Sequence, residues 1–455
     1  MIQSRRSWRK LKHKLRASRL RAKGRFWYPN GVPPELSFLR VRLLFRCDVQ
    51  MSRLALMSEL PDFKDLLPMS TADKMRTTKS LKWSTGVQLP CFVAQMDFQP
   101  APAIRQALSE WALEGDLGYQ PPALLKSFQE AIADYYSDLG WQPERSHIRP
   151  VSDLVTLFEQ VLDAFLPEGQ PLILLTPTYM NFLTLAHDSG RPLRTVSMVR
   201  NVADNCWDID WDGLASAMTD GGMLVLISPH NPIGKSYTRE ELARIAELAA
   251  KSGVRVFADE IHAPIMLGDG QHVPFAGVSP EAHKVALTAF SATKGFSIPG
   301  TKAAALIFSN PQDVSVWKPK SMRVEFGTAT SGLVATAAAL NHGRQWLTEA
   351  CDYLRSNRDL VAELTKEYLP GAIFIPPEST YLAWLDVRGT ANYEQYRANA
   401  ERSLARNLAN ACGVLPTDGE ECGPEGVGHI RVNFATHRDT VVKIFQALGS
   451  ALSPR

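Results

Sequence analysis

Residues 223–262 read MLVLISPHNPIGKSYTREELARIAELAAKSGVRVFADEIH, and they carry the strongest fold signal in the chain. Its two ends, 223–229 and 254–259, are short runs of almost entirely apolar residues, which is typical of strands buried on both faces of a sheet. The residues between the two runs have the spacing of a helix. A strand, a helix and a second strand within about 35 residues form a βαβ unit, which predicts a mostly parallel sheet.

The helix of this unit carries signals at both ends. Thr238 and Glu241 match a capping box, in which two side chains satisfy backbone N–H groups that the start of a helix leaves without partners. Gly253 stands where a left-handed residue ends many helices. Apolar residues follow the box at intervals of three and four, at Leu242, Ile245, Ala246 and Ala249. One face of this helix is therefore predicted to pack against the sheet.

The alternation of apolar runs and helical patterns continues on both sides of this unit. Further runs at 171–177, 284–290 and 303–308 predict three more strands, and residues 154–166 predict another helix. We therefore predict an α/β fold with a mostly parallel central sheet and helices on both faces.

The amino-acid composition excludes several classes of protein. The chain has 455 residues, of which 45% are hydrophobic and 21% charged. These fractions are typical of a globular protein and exclude a disordered or collagen-like chain. The length predicts two or three domains. Since no run of 18 apolar residues occurs, we predict no membrane-spanning helix and no membrane partner.

The charge is distributed unevenly along the chain. Residues 1–50 hold 14 Lys and Arg against two acidic residues, whereas the remaining 405 residues hold 36 Lys and Arg against 45 Asp and Glu. Three explanations of the basic start stay open: a targeting segment, an arm that binds nucleic acid, or a start assigned too far upstream, with Met51 or Met57 as the true beginning. Residues 1–75 are left out of the fold prediction, and the acidic body predicts no nucleic-acid partner.

The cysteines do not form a metal-binding pattern. No pair has CxxC spacing and no group of histidines accompanies them, so we predict no metal site. Scattered thiols are typical of a reducing compartment, and we expect a cytoplasmic protein. The six are Cys47, Cys91, Cys206, Cys351, Cys412 and Cys422.

Polar side chains follow three consecutive predicted strands. Asn231 comes after the first, Asp259 after the second and Lys294 after the third. Because ligands of open α/β sheets bind at the carboxyl ends of the strands, we expect an amide, a carboxylate and an amine in one crevice. Pyridoxal phosphate (PLP) needs such a set: an amine to hold its aldehyde, an anion at its ring nitrogen and a donor to its phenolic oxygen.

At these residues the chain resembles the fold-type-I PLP enzymes of the aminotransferase class I and II superfamily, and in particular their cystathionine β-lyase-like (C–S lyase) branch. The resemblance extends from about Lys82 to the C-terminus. Four signatures carry it, in order: Lys82–Trp83 with Phe92–Phe98 (FVAQMDF), Ser228–Gly234 (SPHNPIG), Asp259–His262 (DEIH) and Ser291–Gly300 (SATKGFSIPG).

The resemblance implies a role for each polar residue at the strand ends. Lys294 corresponds to the lysine that holds the cofactor and later removes the Cα proton of the substrate. Asp259 corresponds to the partner of the pyridine nitrogen, and Asn231 to the donor to the phenolic oxygen. Tyr179 corresponds to an aromatic ring stacked on the pyridine, and Arg431, in His429–Phe434, to the arginine that binds the substrate carboxylate.

The resemblance also implies residues around the cofactor phosphate. Lys302 belongs to this group, and Tyr119, in Leu117–Pro121 (LGYQP), corresponds to a tyrosine that reaches the phosphate of a second subunit. Ser291 is expected to bind the cofactor as well. A homodimer is therefore expected. The phosphate cradle is expected at the start of the predicted helix, on the N–H groups of Leu154 and Val155.

Three departures from the family pattern affect these assignments. Asp153 stands where many relatives have a glycine, and we expect it to cap the helix or point away, since an aspartate facing a phosphate would repel it. His262 stands where aspartate aminotransferases have a tyrosine, and a histidine is usual in the lyase-like branch. Gln95 and Cys91 stand where that branch often has an aspartate and a bulkier residue, which bears on the choice of substrate.

The reaction is expected to be β-elimination. The signatures favour a C–S lyase that cleaves cystathionine or cysteine S-conjugates, a small-molecule amino-acid substrate, to pyruvate, ammonia and a thiol. An aminotransferase is the alternative, because the same lysine, aspartate and asparagine serve both reactions. A ligand-sensing regulator with a DNA-binding module is the third hypothesis. Residues 1–75 argue against it, because they lack a helix-turn-helix pattern. The intact Lys294 disfavours a catalytically inactive scaffold.

The resemblance implies an architecture of two domains. We expect a large PLP-binding domain at 120–320. A smaller α+β domain would combine residues 76–119 with 321–455, and residues 1–75 would be a basic extension outside the fold.

Overall fold

The computed structural model describes residues 80–114, 117–201, 203–398 and 401–454. The predictions made on residues 1–75 lie outside these ranges.

The described part of the chain alternates strands and helices. The strands are β1 Leu89–Pro90, β2 Ile148–Val151, β3 Leu172–Thr176, β4 Leu193–Ser197, β5 Val199–Asn201, β6 Cys206–Asp208, β7 Gly222–Ile227, β8 Val254–Asp259, β9 Ala286–Phe290, β10 Ala304–Phe308, β11 Ile373–Phe374, β12 Leu382–Asp386, β13 Val414–Leu415, β14 Thr417–Asp418 and β15 His429–Asn433. The helices are α1 Pro102–Glu114, α2 Pro122–Asp138, α3 Leu154–Phe165, α4 Met180–Asp188, α5 Trp211–Ala217, α6 Arg239–Ser252, α7 Pro280–Val285, α8 Pro311–Glu325, α9 Thr330–His342, α10 Arg344–Tyr368, α11 Tyr393–Tyr396, α12 Leu404–Cys412 and α13 Arg438–Leu452.

The central sheet has seven strands in the order β2-β10-β9-β8-β7-β3-β4. The five strands β9, β8, β7, β3 and β4 run parallel to one another, whereas β10 pairs antiparallel with both β9 and β2. The prediction of a mostly parallel central sheet is therefore confirmed. All five predicted strands are present, although β9 begins only at Ala286, because residues 280–285 form a short helix that Ser279 caps.

The predicted βαβ unit forms β7, α6 and β8. The hydroxyl of Thr238 accepts a hydrogen bond from the N–H of Glu241 at 3.2 Å, and the Glu241 carboxylate accepts one from the N–H of Thr238 at 2.9 Å. Gly253 ends the helix with a φ of 68°. The capping box and the left-handed cap predicted from the sequence are both confirmed, so local signals set the bounds of α6.

The sheet separates two apolar layers. Leu224 and Leu226 of β7 point into one layer with the apolar face of α6, whereas Met223 and Val225 point into the other with the apolar face of α3. Successive side chains of a strand point to opposite faces, so a strand covered by helices on both sides is apolar throughout. This arrangement confirms the predicted helices on both faces.

A second, antiparallel sheet has four strands in the order β11-β12-β15-β14. In its register Arg431 of β15 lies opposite Trp384 of β12 on one side and Thr417 of β14 on the other. Nearby, β1 pairs in parallel with β13. No helix in the described ranges is long and apolar enough to span a membrane.

Candidate active site

A cleft of about 990 Å³ opens at the carboxyl ends of the central strands. It brings together residues that lie up to 346 positions apart in the sequence, from Thr85 to Arg431. Ten of the eleven predicted site residues line it: Leu154, Val155, Tyr179, Asn231, Asp259, His262, Ser291, Lys294, Lys302 and Arg431. The eleventh, Tyr119, lies outside the cleft.

Lys294 follows β9 and lies on the floor of the cleft. Its Nζ donates a hydrogen bond to the carbonyl of Ala94 at 2.9 Å. Burial lowers the pKa of Lys294 to about 8; the positive charge of Arg431 lowers it further, and Asp259 opposes the shift. At pH 7 a lysine with this pKa is neutral in about a tenth of the molecules, far more than at its ordinary pKa, and a nucleophile or base must be neutral to act.

Asp259 ends β8 and is only 3% exposed. Its Oδ1 accepts a hydrogen bond from the N–H of Ile261 at 3.2 Å. Burial nevertheless raises the pKa of Asp259 to about 7, since a carboxylate with so little hydration and so few donors is costly to ionise. A protonated ring nitrogen beside it would supply the missing partner, so the site fits a pyridinium.

Arg431 fixes the orientation of Asn231. One Nη of Arg431 donates to the Oδ1 of Asn231 at 3.0 Å, and the other donates to the Thr417 hydroxyl at 2.9 Å and to the Phe92 carbonyl at 3.0 Å. With its oxygen engaged, Asn231 is left with its amide N–H groups to donate. The Nε of Arg431 is buried and has no partner among the described residues, which leaves a donor for an anionic ligand.

His262 and Tyr179 are two ring side chains of the cleft that also carry polar atoms. Neither ring nitrogen of His262 has a hydrogen-bond partner within the described ranges, although both are buried. Burial lowers the pKa of His262 well below its ordinary value, so the ring is neutral. The hydroxyl of Tyr179 accepts a hydrogen bond from Asn181 at 2.9 Å. Unpaired nitrogens buried in a cleft indicate a site shaped for a polar ligand.

The start of α3 forms one end of the cleft. Asp153 caps the helix, accepting a hydrogen bond from the N–H of Thr156 at 3.0 Å, which confirms the expected capping role. The N–H groups of Leu154 and Val155 belong to the first turn, where no intrahelical acceptor exists. Lys302 pairs with the outer oxygen of Asp153 at 3.3 Å. This end of the cleft can therefore hold a phosphate.

Ser291 directly follows β9 and lines the cleft. Its hydroxyl donates to the carbonyl of Ala303 at 2.7 Å and accepts from the N–H of Thr293. Lys302 has a φ of 51°, a left-handed conformation that directs the chain into β10. The loop between β9 and β10 thus holds Ser291, Lys294 and Lys302 in the cleft.

Tyr119 lies on the surface. Its side chain is 90% exposed, and its ring contacts the edge of Phe326 at 6.5 Å between centroids. Leu117 and Met322 are exposed as well. The described chain alone therefore does not bring Tyr119 to the cleft.

Residues 92–96 cross the cleft in irregular conformation, and side chains of the site bind their carbonyls. Asn433 donates to the carbonyls of Val93 and Gln95, both at 2.7 Å. Tyr381 donates to the Ala94 carbonyl at 3.0 Å, beside Lys294. Thr417 donates to the Phe92 carbonyl at 2.7 Å. Asn433, Tyr381 and Thr417 were not predicted from the sequence, because these partners lie more than 280 residues away and leave no local pattern.

The Lys82–Trp83 signature has a structural explanation. Lys82 is buried and pairs with one carboxylate oxygen of Asp97 at 2.7 Å, while the indole N–H of Trp83 donates to the other oxygen at 2.7 Å. This buried group anchors the two ends of the segment that carries residues 92–96.

Known proteins with similar sequences indicate the same family as the geometry of the cleft. The model of the family "Aminotransferase class I and II" matches residues 91–447, and the chain belongs to this family. A cystathionine β-lyase from Corynebacterium glutamicum is 30% identical over 385 residues, which span 84% of this chain and 98% of that protein. Cystathionine β-lyase PatB from Bacillus subtilis strain 168 is 28% identical over 386 residues, spanning 82% and 97%.

Solved structures with a similar fold include an enzyme of the same kind as these relatives. A candidate PLP-dependent β-cystathionase from Corynebacterium diphtheriae superimposes with a TM-score of 0.76 at 32% identity, covering 85% of this chain and 99% of that one. The predictions of the family, of the fold-type-I architecture and of PLP as the family's cofactor are confirmed. The lyase branch is thus well represented among the relatives.

Proposed function

We propose that this protein is a PLP-dependent C–S β-lyase that cleaves cystathionine or cysteine S-conjugates. The convergence of Asn231, Asp259, Lys294 and Arg431 in one cleft supports PLP chemistry. The similarity to a cystathionine β-lyase, 30% identical over 84% of this chain, favours the lyase over the aminotransferase. The reaction breaks the Cα–H and Cβ–S bonds of the substrate, and one water then hydrolyses the bond between Cα and nitrogen. Its products are a thiol, pyruvate and ammonium.

PLP, when bound, supplies an electron sink that acidifies the Cα–H bond of an amino acid. Lys294 would hold the cofactor through Nζ and, once released, accept the Cα proton. Its lowered pKa of about 8 suits both tasks, because the amine is readily neutral and is reprotonated at little cost. The Ala94 carbonyl, 2.9 Å from Nζ, orients the released amine.

The remaining polar residues would hold the cofactor and the substrate. Asp259 would pair with the ring nitrogen, which keeps that nitrogen protonated. Asn231 would donate to the phenolic oxygen, since its own oxygen is bound by Arg431. The free Nε of Arg431 would bind the substrate carboxylate. The ring of Tyr179 would lie on the pyridine, and His262 would face the cofactor from the floor of the cleft.

The phosphate would bind at the start of α3. The N–H groups of Leu154 and Val155 and the side chain of Lys302 supply donors there. The hydroxyl of Ser291 would join them by turning from the Ala303 carbonyl to the phosphate. Lys302 would then exchange its ion pair with Asp153 for the phosphate.

We also propose a cytoplasmic homodimer with the predicted domains, 120–320 and 76–119 with 321–455. The exposed apolar side chains of Leu117, Tyr119, Met322 and Phe326 support an interface there, from which Tyr119 would reach the phosphate of the partner subunit. The five described cysteines are free thiols, which supports a reducing compartment.

One incubation tests the reaction type. Purified protein with PLP is given L-cystathionine, with and without an added keto acid, and pyruvate is measured. Pyruvate release without keto acid is expected; turnover only with a keto acid would make the protein an aminotransferase instead. The variant Lys294→Ala should show no turnover and lack the visible absorbance of a lysine-bound cofactor. Preserved absorbance would mean that another lysine holds PLP.

A further inference from the structure

We infer that Arg406 and Glu421 form a second recognition point, which binds a charged α-amino-acid head at the far end of the substrate thioether. The inference rests on the proposed lyase function and narrows its substrate class. Substrates would then carry one amino-acid head at the reacting end and another on the leaving thiol.

Arg406 and Glu421 are the charged cleft residues that the cofactor and the reacting carboxylate leave without a role. The other charged side chains that line the cleft have roles already. Asp153 caps α3 and pairs with Lys302. The rest serve the cofactor or the reacting carboxylate: Asp259, Lys294, Lys302 and Arg431. Arg406 lies in the first turn of α12, and Glu421 lies in the turn that follows β14. Two different elements therefore contribute opposite charges to the same rim.

A buried carboxylate holds these two elements together. Asp418 is 2% exposed; one of its oxygens accepts from the N–H of Ala405 at 2.9 Å and the other from the N–H of Glu420 at 3.1 Å. Each of these residues directly precedes one member of the charged pair. The backbone at Arg406 and at Glu421 is thereby fixed on a common support.

The strand that carries Asp418 also contacts the carboxylate-binding arginine, Arg431. Thr417 precedes Asp418 in β14, lies opposite Arg431 in the sheet and accepts its hydrogen bond at 2.9 Å. The pair is thus held at a set position relative to Arg431. A ligand whose carboxylate is bound by Arg431 would therefore meet Arg406 and Glu421 at a fixed position with its other end.

The charges of the pair are available to a ligand. Within the described ranges neither side chain forms an ion pair. Burial and the nearby Asp418 raise the pKa of Glu421, whereas Arg431 and Arg406 lower it, so this carboxylate lies within the field of both arginines. Arg406 can bind a carboxylate through its planar donors, and Glu421 can accept from an ammonium group. Together they match an α-amino-acid head.

The test compares two thioethers that differ in the far end. L-Cystathionine carries the second amino-acid head, whereas S-ethyl-L-cysteine ends in an apolar ethyl group. The ratio of kcat/KM for the two substrates is measured for the wild type and for Arg406→Gln and Glu421→Gln. Each variant should lower the ratio about tenfold, mainly through the KM for cystathionine. The control Glu420→Gln, an exposed neighbour that does not line the cleft, should leave the ratio unchanged.

An unchanged ratio in both variants would overturn the inference. Should the wild type release no pyruvate from either thioether, the lyase assignment has failed, and spectral titration of the PLP-loaded protein tests the pair separately. Tighter binding of cystathionine than of S-ethyl-L-cysteine, lost in both variants, would support the pair in any enzyme of this family. Equal affinities in the wild type would refute it.

Discussion

Asp259 is a buried carboxylate that would pair with the ring nitrogen of the cofactor. In the cofactor-free protein its ionisation without a partner lowers the free energy of unfolding. Its pKa is raised from 3.8 to about 7, mainly by burial. The native state therefore keeps the proton up to about pH 7, whereas the unfolded chain loses it near pH 4. Because the native state binds more protons in this range, the free energy of unfolding falls as the pH rises from about 4 to about 7 and then levels off. The variant Asp259→Asn removes the ionisation.

The size of the effect follows from the shift. A pKa moved from 3.8 to about 7 corresponds to about 4 kcal/mol above pH 7, at about 1.4 kcal/mol for each pH unit. The side-chain N–H₂ group of the new asparagine has no hydrogen-bond partner, which reduces the stability gain of the variant by about 1–2 kcal/mol. At pH 8 the variant should be more stable than the wild type by about 2–3 kcal/mol, or about 2–3 °C in melting temperature for a chain of this size. At pH 5 the two should be nearly equal.

Thermal unfolding of the cofactor-free proteins, prepared with hydroxylamine, checks this expectation at pH 5 and pH 8. Asp97→Asn is the matched control: that carboxylate is equally buried but paired with Lys82, so its loss should destabilise the protein at both pH values by about 3–5 kcal/mol. A stability difference for Asp259→Asn that is independent of pH, or a loss as large as that of the control, would refute the reasoning.

Three further changes test the fold around the site. Asn433→Leu removes both hydrogen bonds that hold the carbonyls of segment 92–96, and it should lower the free energy of unfolding by about 2–4 kcal/mol and speed limited proteolysis at that segment. Thr238→Ala removes the capping box of α6 and should cost about 1 kcal/mol in urea unfolding. Gly234→Ala has no room, because φ is 70° and a Cβ would lie 2.2 Å from the Cβ of Pro377; a soluble yield equal to the wild type would contradict this contact.

Local patterns predicted most of the central sheet. The strands β3, β7, β8, β9 and β10, the helix α6 with both of its caps, and the capping role of Asp153 each depend on a few neighbouring residues. The short strand β2 and the exposed strand β4 gave weaker signals and were not predicted. The C-terminal sheet was not predicted from pattern either, since its order brings β14 and β15 together across a turn-rich segment.

The amino-acid sequence by itself determined which groups stand at the ends of neighbouring parallel strands, because parallel strands place their carboxyl ends at one edge whatever the rest of the chain does. Only the tertiary structure decided what those groups contact. The bond between Arg431 and Asn231 spans 200 residues, and the bond between Lys294 and Ala94 also spans 200. Such pairs form through the packing of separate elements, which no periodicity within one element records.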